Sequence, residues 1–262
     1  MDLGLKDRGA IVTGGNRGIG YAISAELLKE GAHVVVASLD PARNKDAVER
    51  LKTQSQGRVL GIPTDLNDAA AVEALFIKTL AEFGRLDILV NNATSISQGS
   101  FFQMSEDDWD HAFDNKLRGA VRCIRQAVTP MRERKWGRIV NVSGGAAWTP
   151  QLGAIATGMN NAAVQNLTAA LANDLAKDGI LVNAIVPTAV RTERQDKNIR
   201  DAMAKTGQSE AEVLKPRVAK VPLGRMGTAE EIAAVAVFLS SERASFVTGS
   251  AWAVDGGVSA RL

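Results

Sequence analysis

Thr13-Gly14-Gly15-Asn16-Arg17-Gly18-Ile19-Gly20 stands between an apolar run over residues 9–13 and an amphipathic stretch over residues 18–30. A strand that turns on glycines into a helix is built to receive a diphosphate. Gly14 permits the tight turn, Gly18 lets main chain approach the phosphates, and Gly20 lets the helix pack closely on the sheet. The helix N-terminus adds unpaired N–H groups and the positive end of the helix dipole. Glycine triplets alone are a weak signal, but the strand–turn–helix setting makes this one strong. Asn16, Arg17 and Ile19 complete the loop.

Outward from the loop, short apolar runs alternate with longer helical patterns. Residues 9–13, 33–38, 58–63, 86–91, 138–143, 181–186 and 250–254 read as buried strands, rich in valine and isoleucine. Residues 18–30, 69–83, 107–133, 160–177 and 229–239 carry helical periodicity. Strand and helix repeated in this way predict an α/β, Rossmann-like, doubly wound parallel sheet of seven strands with helices on both faces. No linker or repeat divides the chain, so residues 1–262 are expected to form a single nucleotide-binding domain. The long irregular stretch 187–228 follows a strand's carboxyl end, where such sheets bind ligands, and reads as a substrate-side flap with a helical middle near 198–205.

Composition narrows the function classes. The 262 residues are 45% hydrophobic and 23% charged, with a net charge of +2. Nothing in that balance suggests a nucleic-acid or membrane partner. The one cysteine, Cys123, can form no internal disulfide and reads as a buried helix residue. The N-terminus shows no long apolar run, so no signal peptide or spanning helix is expected, and a cytoplasmic location fits. No metal-ligand spacing and no Ser–His–Asp arrangement is present.

The chain resembles the short-chain dehydrogenase/reductase family over essentially its whole length. The resemblance rests on the spacing Thr13-Gly14…Gly18-Ile19-Gly20, on Asn91-Asn92-Ala93, on Asp65, on Pro187-Thr188-Ala189-Val190-Arg191-Thr192, and on Asp255-Gly256-Gly257. It implies a nicotinamide dinucleotide as cofactor. Asp65 and Leu66 would meet the adenine, Asn91 and Ala93 would line the middle, and Pro187, Val190 and Thr192 would hold the nicotinamide end. Thr188 stands where the family usually has glycine. The position that selects between the two dinucleotides corresponds to Ser38, which is neutral, while Arg17 and Arg43 are cationic. Asp40 is an acidic neighbour, but Asp40-Pro41 reads as a helix N-cap followed by proline at the first helical position. NADP(H) is therefore expected over NAD(H).

The same resemblance exposes a gap. The family works with an Asn, a Ser, a Tyr and a Lys. Asn115 matches the first; counting from the flanking motifs puts Gly144, Thr157 and Asn161 at the other three positions. Ser143 precedes Gly144 and reads as structural, and the sole tyrosine, Tyr21, belongs to the first helix. Lys116 follows Asn115 and, at ideal helical geometry, points elsewhere. His111 shares a helix face with Asn115, His33 starts a strand, and Trp148, Ile155 and Met159 are candidates for an apolar pocket wall.

An aliphatic hydroxyl is a much weaker acid than a phenol, so ordinary carbonyl or alcohol hydride transfer is expected to be slow or absent. Three readings remain: a nucleotide-binding sensor or silent subunit; an enzyme of altered chemistry such as elimination, isomerisation or cyclisation; and an atypical oxidoreductase that takes its proton from water. The ligand is an unidentified small molecule. The family's habit of pairing the helices at 107–133 and 160–177 implies a homotetramer or homodimer, or a hetero-oligomer with an active homologue.

Overall fold

A computed structural model describes residues 2–53, 57–94 and 99–259. In chain order the main elements are β1 (Gly9–Thr13), α1 (Gly18–Lys29), β2 (His33–Ser38), α2 (Pro41–Lys52), β3 (Val59–Pro63), α3 (Ala69–Phe83), β4 (Ile88–Asn91), α4 (Glu106–Phe113), α5 (Gly119–Glu133), β5 (Gly137–Val142), α6 (Ile155–Leu175), β6 (Ile180–Pro187), α7 (Glu193–Thr206), α8 (Glu210–Val218), α9 (Ala229–Leu239) and β7 (Ala251–Val254). The seven strands form one sheet in the order β3-β2-β1-β4-β5-β6-β7, and every pairing is parallel. This is the doubly wound architecture that the alternating pattern predicts.

Side chains alternate across the strands and so feed two cores. Val12, Val34, Val36 and Val90 face Ile23 and Leu27 of α1 and Ile232 and Val237 of α9. Ile11, Val35, Leu89 and Ile139 face Leu75 and Phe76 of α3, Ile124 and Met131 of α5, and Leu175 of α6. Both faces of the central strands are therefore dry, as a parallel sheet requires. The edge strands β3 and β7 alternate between covered and exposed residues rather than being buried throughout. Each has a neighbour on one side only, and that explains the departure from the fully buried strands expected there.

Below the sheet, the buried Asp87 carboxylate accepts the Gly9 N–H at 2.8 Å and two hydrogen bonds from Arg85, at 2.6 and 2.8 Å, with Arg8 at 3.3 Å. It ties the start of β1 to the start of β4. Cys123 is also buried, and loss of water pushes its thiol up to about 12.

Three segments depart from the pattern. The stretch 107–133 is not one helix. Ser105 and Asp108 form a capping box that starts α4, and a π-helical turn, Asp114–Arg118, separates α4 from α5. α6 begins at Ile155, five residues before the expected start at 160, and Gly179 closes the turn after it in a left-handed conformation (φ 74°). The stretch 187–228 holds two helices, α7 and α8, rather than one. Arg191 joins them by pairing with Asp196 at 2.8 Å and Glu210 at 2.9 Å. Its two ends meet where Arg191 N–H donates to the Gly227 carbonyl and Gly227 N–H to the Ala189 carbonyl.

Replacing Asp87 with alanine leaves the Arg85 and Arg8 guanidinium groups facing an emptied, dry site. The expected loss is about 3–5 kcal/mol of unfolding free energy, as for other buried pairs stripped of one member. Urea denaturation of native and Asp87→Ala chains checks it.

Candidate functional site

β1 and β4 are neighbours in the sheet but far apart in the chain, so the crossovers diverge above them and leave a crevice at their carboxyl ends. A cleft of about 680 Å³ opens there, within the usual range for a small-molecule site. The seam beneath it is stitched by Thr13 and Asn92. The Thr13 hydroxyl accepts the N–H groups of Asn92 (2.9 Å) and Ala93 (3.1 Å), and the Asn92 amide donates to the Thr13 carbonyl at 3.0 Å.

The glycine loop forms one wall. Gly14 and Gly18 have positive φ, 63° and 53°. A Cβ on Gly20 would collide with the Gly14 carbonyl oxygen and the Asn92 amide. Gly20 thus works from behind the wall, while Gly14, Asn16, Arg17, Gly18 and Ile19 line it. Asn16 is buried and donates to Asn44 at 3.1 Å, so its side chain braces the loop. Arg17 is the N-cap of α1 in extended conformation, and no side chain caps the helix. The first N–H groups of α1 are left for an anion.

Ser38, Leu39, Asp40, Arg43, Asp65, Leu66 and Ala93 continue the lining, and Thr192, the N-cap of α7, adds to it. The Asp40 carboxylate accepts the N–H groups of Ala42 (3.0 Å) and Arg43 (3.1 Å), capping α2, and the Arg43 guanidinium lies 3.4 Å away. Its charge is thereby engaged. The Ser38 hydroxyl oxygen is buried without a hydrogen-bond partner. Two further cations meet at the wall. Arg194 of α7 is held below the ordinary arginine value, first by loss of water and then by repulsion from Arg17. Neither Arg17 nor Arg194 makes an ion pair among the described residues. The open N–H groups, the glycine cradle, the orphaned Ser38 hydroxyl and the unpaired cations all suit a dinucleotide with its diphosphate.

Four of the expected cofactor residues do not line this cleft: Gly20, Asn91, Pro187 and Val190. Asn91 is buried and donates to Asn141 at 2.9 Å, which in turn donates to Thr168 at 2.9 Å. Val190 is packed in the core beside its bridge partner Gly227. Trp148, Ile155 and Met159 are also outside the lining; Trp148 donates to Gln165 at 2.7 Å. Tyr21 packs beneath the Arg50 guanidinium, 4.6 Å from the ring centre, away from the cleft. His111 and Asn115 lie on the cleft wall.

Behind Asn115 is a smaller inner site. Ser143 donates to the Asn161 carbonyl at 3.0 Å and accepts from Gln165 at 2.9 Å, so it is engaged by α6. Gly144 faces the Asn161 amide: a Cβ there would stand 2.8 Å from Nδ2. Thr157 lies one turn before Asn161 on α6. Thr188, in place of the family's glycine, is accommodated because its hydroxyl occupies the space a side chain on Gly145 would need. Lys116 does not point elsewhere; its ammonium donates to Asn161 Oδ1 at 2.6 Å. The π turn is the reason. It spreads more residues over each turn, so the angle between adjacent side chains falls below that of an α-helix, and Asn115 and Lys116 both border one small void behind the cleft. Loss of water first, and repulsion from Arg194 second, lower Lys116 to about 8.

Comparison with known proteins agrees with this architecture. The family model described as enoyl-(acyl carrier protein) reductase matches residues 14–259. The chain belongs to the short-chain dehydrogenase/reductase family. It is 35% identical over 257 residues to a 3alpha-hydroxysteroid dehydrogenase of Mediterraneibacter gnavus, covering 98% of each chain. It is 30% identical over 258 residues to a 3-oxoacyl-(acyl-carrier-protein) reductase of Aquifex aeolicus, covering 98% of this chain and 100% of the other. An L-sorbose reductase from Gluconobacter frateurii, solved with NADPH and L-sorbose, superposes with a TM-score of 0.97 at 32% identity, covering 100% of both chains. Among the described residues no helix is long and apolar enough to cross a membrane, and no cluster of metal-ligating side chains occurs.

Gly20→Ala drives a methyl group into the Gly14 carbonyl and the Asn92 amide. Nicotinamide dinucleotide affinity is expected to fall at least tenfold, about 1.4 kcal/mol, which titration of the reduced cofactor's fluorescence measures.

Proposed function

We propose that this reductase-like chain binds NADP(H) and has lost the phenol that would serve its relatives as proton donor. The carrying observation for the cofactor is the end of β2. Ser38 offers an unpartnered hydroxyl, Arg17 and Arg43 line the same cleft, and Asp40 is engaged by the α2 cap. A 2′-phosphate would find the Arg17 and Arg43 guanidinium groups in the same cleft, with the Asp40 carboxylate held by the α2 cap. The NADPH-bound relative with the same fold supports the reading.

When bound, NADP(H) would supply or accept hydride. The chain's own part would be to orient it through the glycine loop and Thr192, and to exclude water beneath α7. We read the stretch 187–228 as the lid on the substrate side, since α7 brings Thr192, Glu193 and Arg194 to the cleft.

At the inner site, Thr157, Gly144 and Asn161 offer no ionisable acid. Loss of general acid/base help costs ~10²–10⁴ in rate. Turnover of simple ketones and alcohols is therefore expected to be lower than a tyrosine-bearing relative's by about that factor. Binding without any turnover across a broad panel would favour the sensor or silent-subunit role. Measurable turnover would favour a reductase whose proton comes from water, which the ammonium of Lys116 beside Asn161 supports.

NADPH is expected to bind more tightly than NADH. The double change Arg17→Ala with Arg43→Ala should weaken NADPH by about 10–100-fold, some 1.4–2.8 kcal/mol, and leave NADH within a few-fold. Fluorescence titration at fixed salt checks both, and equal losses for the two cofactors would refute the assignment.

A further inference from the structure

Thr157, Gly144 and Asn161 are uncharged, yet the inner site holds an ammonium. Lys116 Nζ lies 2.6 Å from Asn161 Oδ1. An ammonium only donates, so the asparagine must turn its oxygen toward Lys116 and its NH₂ away. That NH₂ is the group beside Gly144, 2.8 Å from where a Cβ would begin. Glycine at 144 and asparagine at 161 therefore fit one another: the Asn161 amide takes up the room a side chain at 144 would need, and that amide is polarised from behind by a cation. Asn161 is only 3% exposed, which fixes its place.

The surroundings leave Lys116 without an anion among the described residues. On its own turn, Asp114 is taken by Arg118 at 2.6 Å. α6 carries no ionisable side chain before Asp174, and β4 carries none. From α7, Glu193 and Arg194 reach the cleft, and the charge that acts on Lys116 is the like one, Arg194. Such a group is ready for negative charge supplied by a ligand.

We propose that Lys116 supplies the cation of this site and that, with Asn161, it forms a donor pair for a ligand oxygen that gains negative charge beside the two side chains. The ligand class is a carbonyl compound, and this rests on the NADP(H) reading above. The carbonyl carbon accepts a hydride from the reduced nicotinamide and forms a C–H bond. The C=O π pair moves to oxygen, and water gives that oxygen its proton; the carbonyl is reduced and NADPH is oxidised. Donors preset in a dry site stabilise such an oxygen far more than they would in water. The ammonium persists through neutral pH and is lost as pH rises through about 8, while a neighbouring anionic oxygen pushes that value back up.

The test places a phenolate where the oxygen would sit. Residue 157 lies one helical turn before Asn161, on the same face. Thr157→Tyr is made in the native background and again with Lys116→Met or Asn161→Ala. Ionisation of the new phenol is followed by tyrosinate absorbance in the cofactor-free protein, where Tyr21 is the only other tyrosine. With Lys116 and Asn161 in place, the new phenol should ionise below the ordinary value of about 10. Removal of either partner should raise its pKa by one unit or more, a tenfold change in the ionisation constant. An unchanged ionisation overturns the proposal.

Should the tyrosine variant not fold, the lysine side-chain NMR resonance absent from Lys116→Met is titrated in the native chain. Titration near 8 supports the enclosed ammonium, and titration at the value of an exposed lysine overturns it. NADPH fluorescence is measured in parallel. A normal phenol shift without NADPH binding removes the cofactor reading alone, and NADPH binding without the shift removes this inference alone.

Discussion

Main chain lies unusually close to main chain where β1 and β4 end side by side, and the rest of the molecule is arranged around that approach. Gly14 and Gly20 leave no room for side chains there, and the Thr13 hydroxyl and Asn92 amide satisfy the backbone groups the close contact strands. Because the strand order reverses at this seam, the helices on either side lead away from it and a crevice results. Asp87 pins the opposite end of the same two strands. The cleft is thus a product of sheet topology, and the loops that decorate it only decide what it holds.

What they supply is charge of both signs, Arg17, Arg43 and Arg194 with Asp40, Asp65 and Glu193. Arg43 pairs with Asp40, while Arg17 and Arg194 have no ion pair among the described residues, and loss of water, then repulsion from Arg17, lowers Arg194. Leaving these two cations without a partner costs stability, and an anion bound there would recover it. The inner site repeats the arrangement on a smaller scale with Lys116, where the uncharged partners at 144 and 161 interlock in shape.

The sheet was legible because its information is local. Valine- and isoleucine-rich runs, a glycine turn at the mouth of a helix, and N-caps such as Asp40 each declare themselves within a few residues. The cleft-lining parts of the glycine loop, Ser38, Asp65, Leu66, Ala93 and Thr192 were nameable for the same reason. What escaped depends on geometry that no short window carries. A π turn has no compositional mark, so the helix at 107–133 reads as continuous and Lys116 is assigned to the wrong side. A basic side chain next to an expected asparagine was the one available hint. Asn91 and Val190 carry the motif but lie outside the cleft lining, held by Asn141 and by the bridge to Gly227. The second flap helix was missed because α8 is short, polar and interrupted by Pro216.

Cys123 has a practical consequence. It is the chain's single thiol, sealed in the core and pushed far from its reactive thiolate form. Maleimide or spin-label reagents should therefore ignore the native protein. A cysteine introduced on the outer face of α7, paired with one on the exposed side of α2, would take up two probes without background. The spacing between flap and glycine-loop wall could then be followed as nucleotide is added.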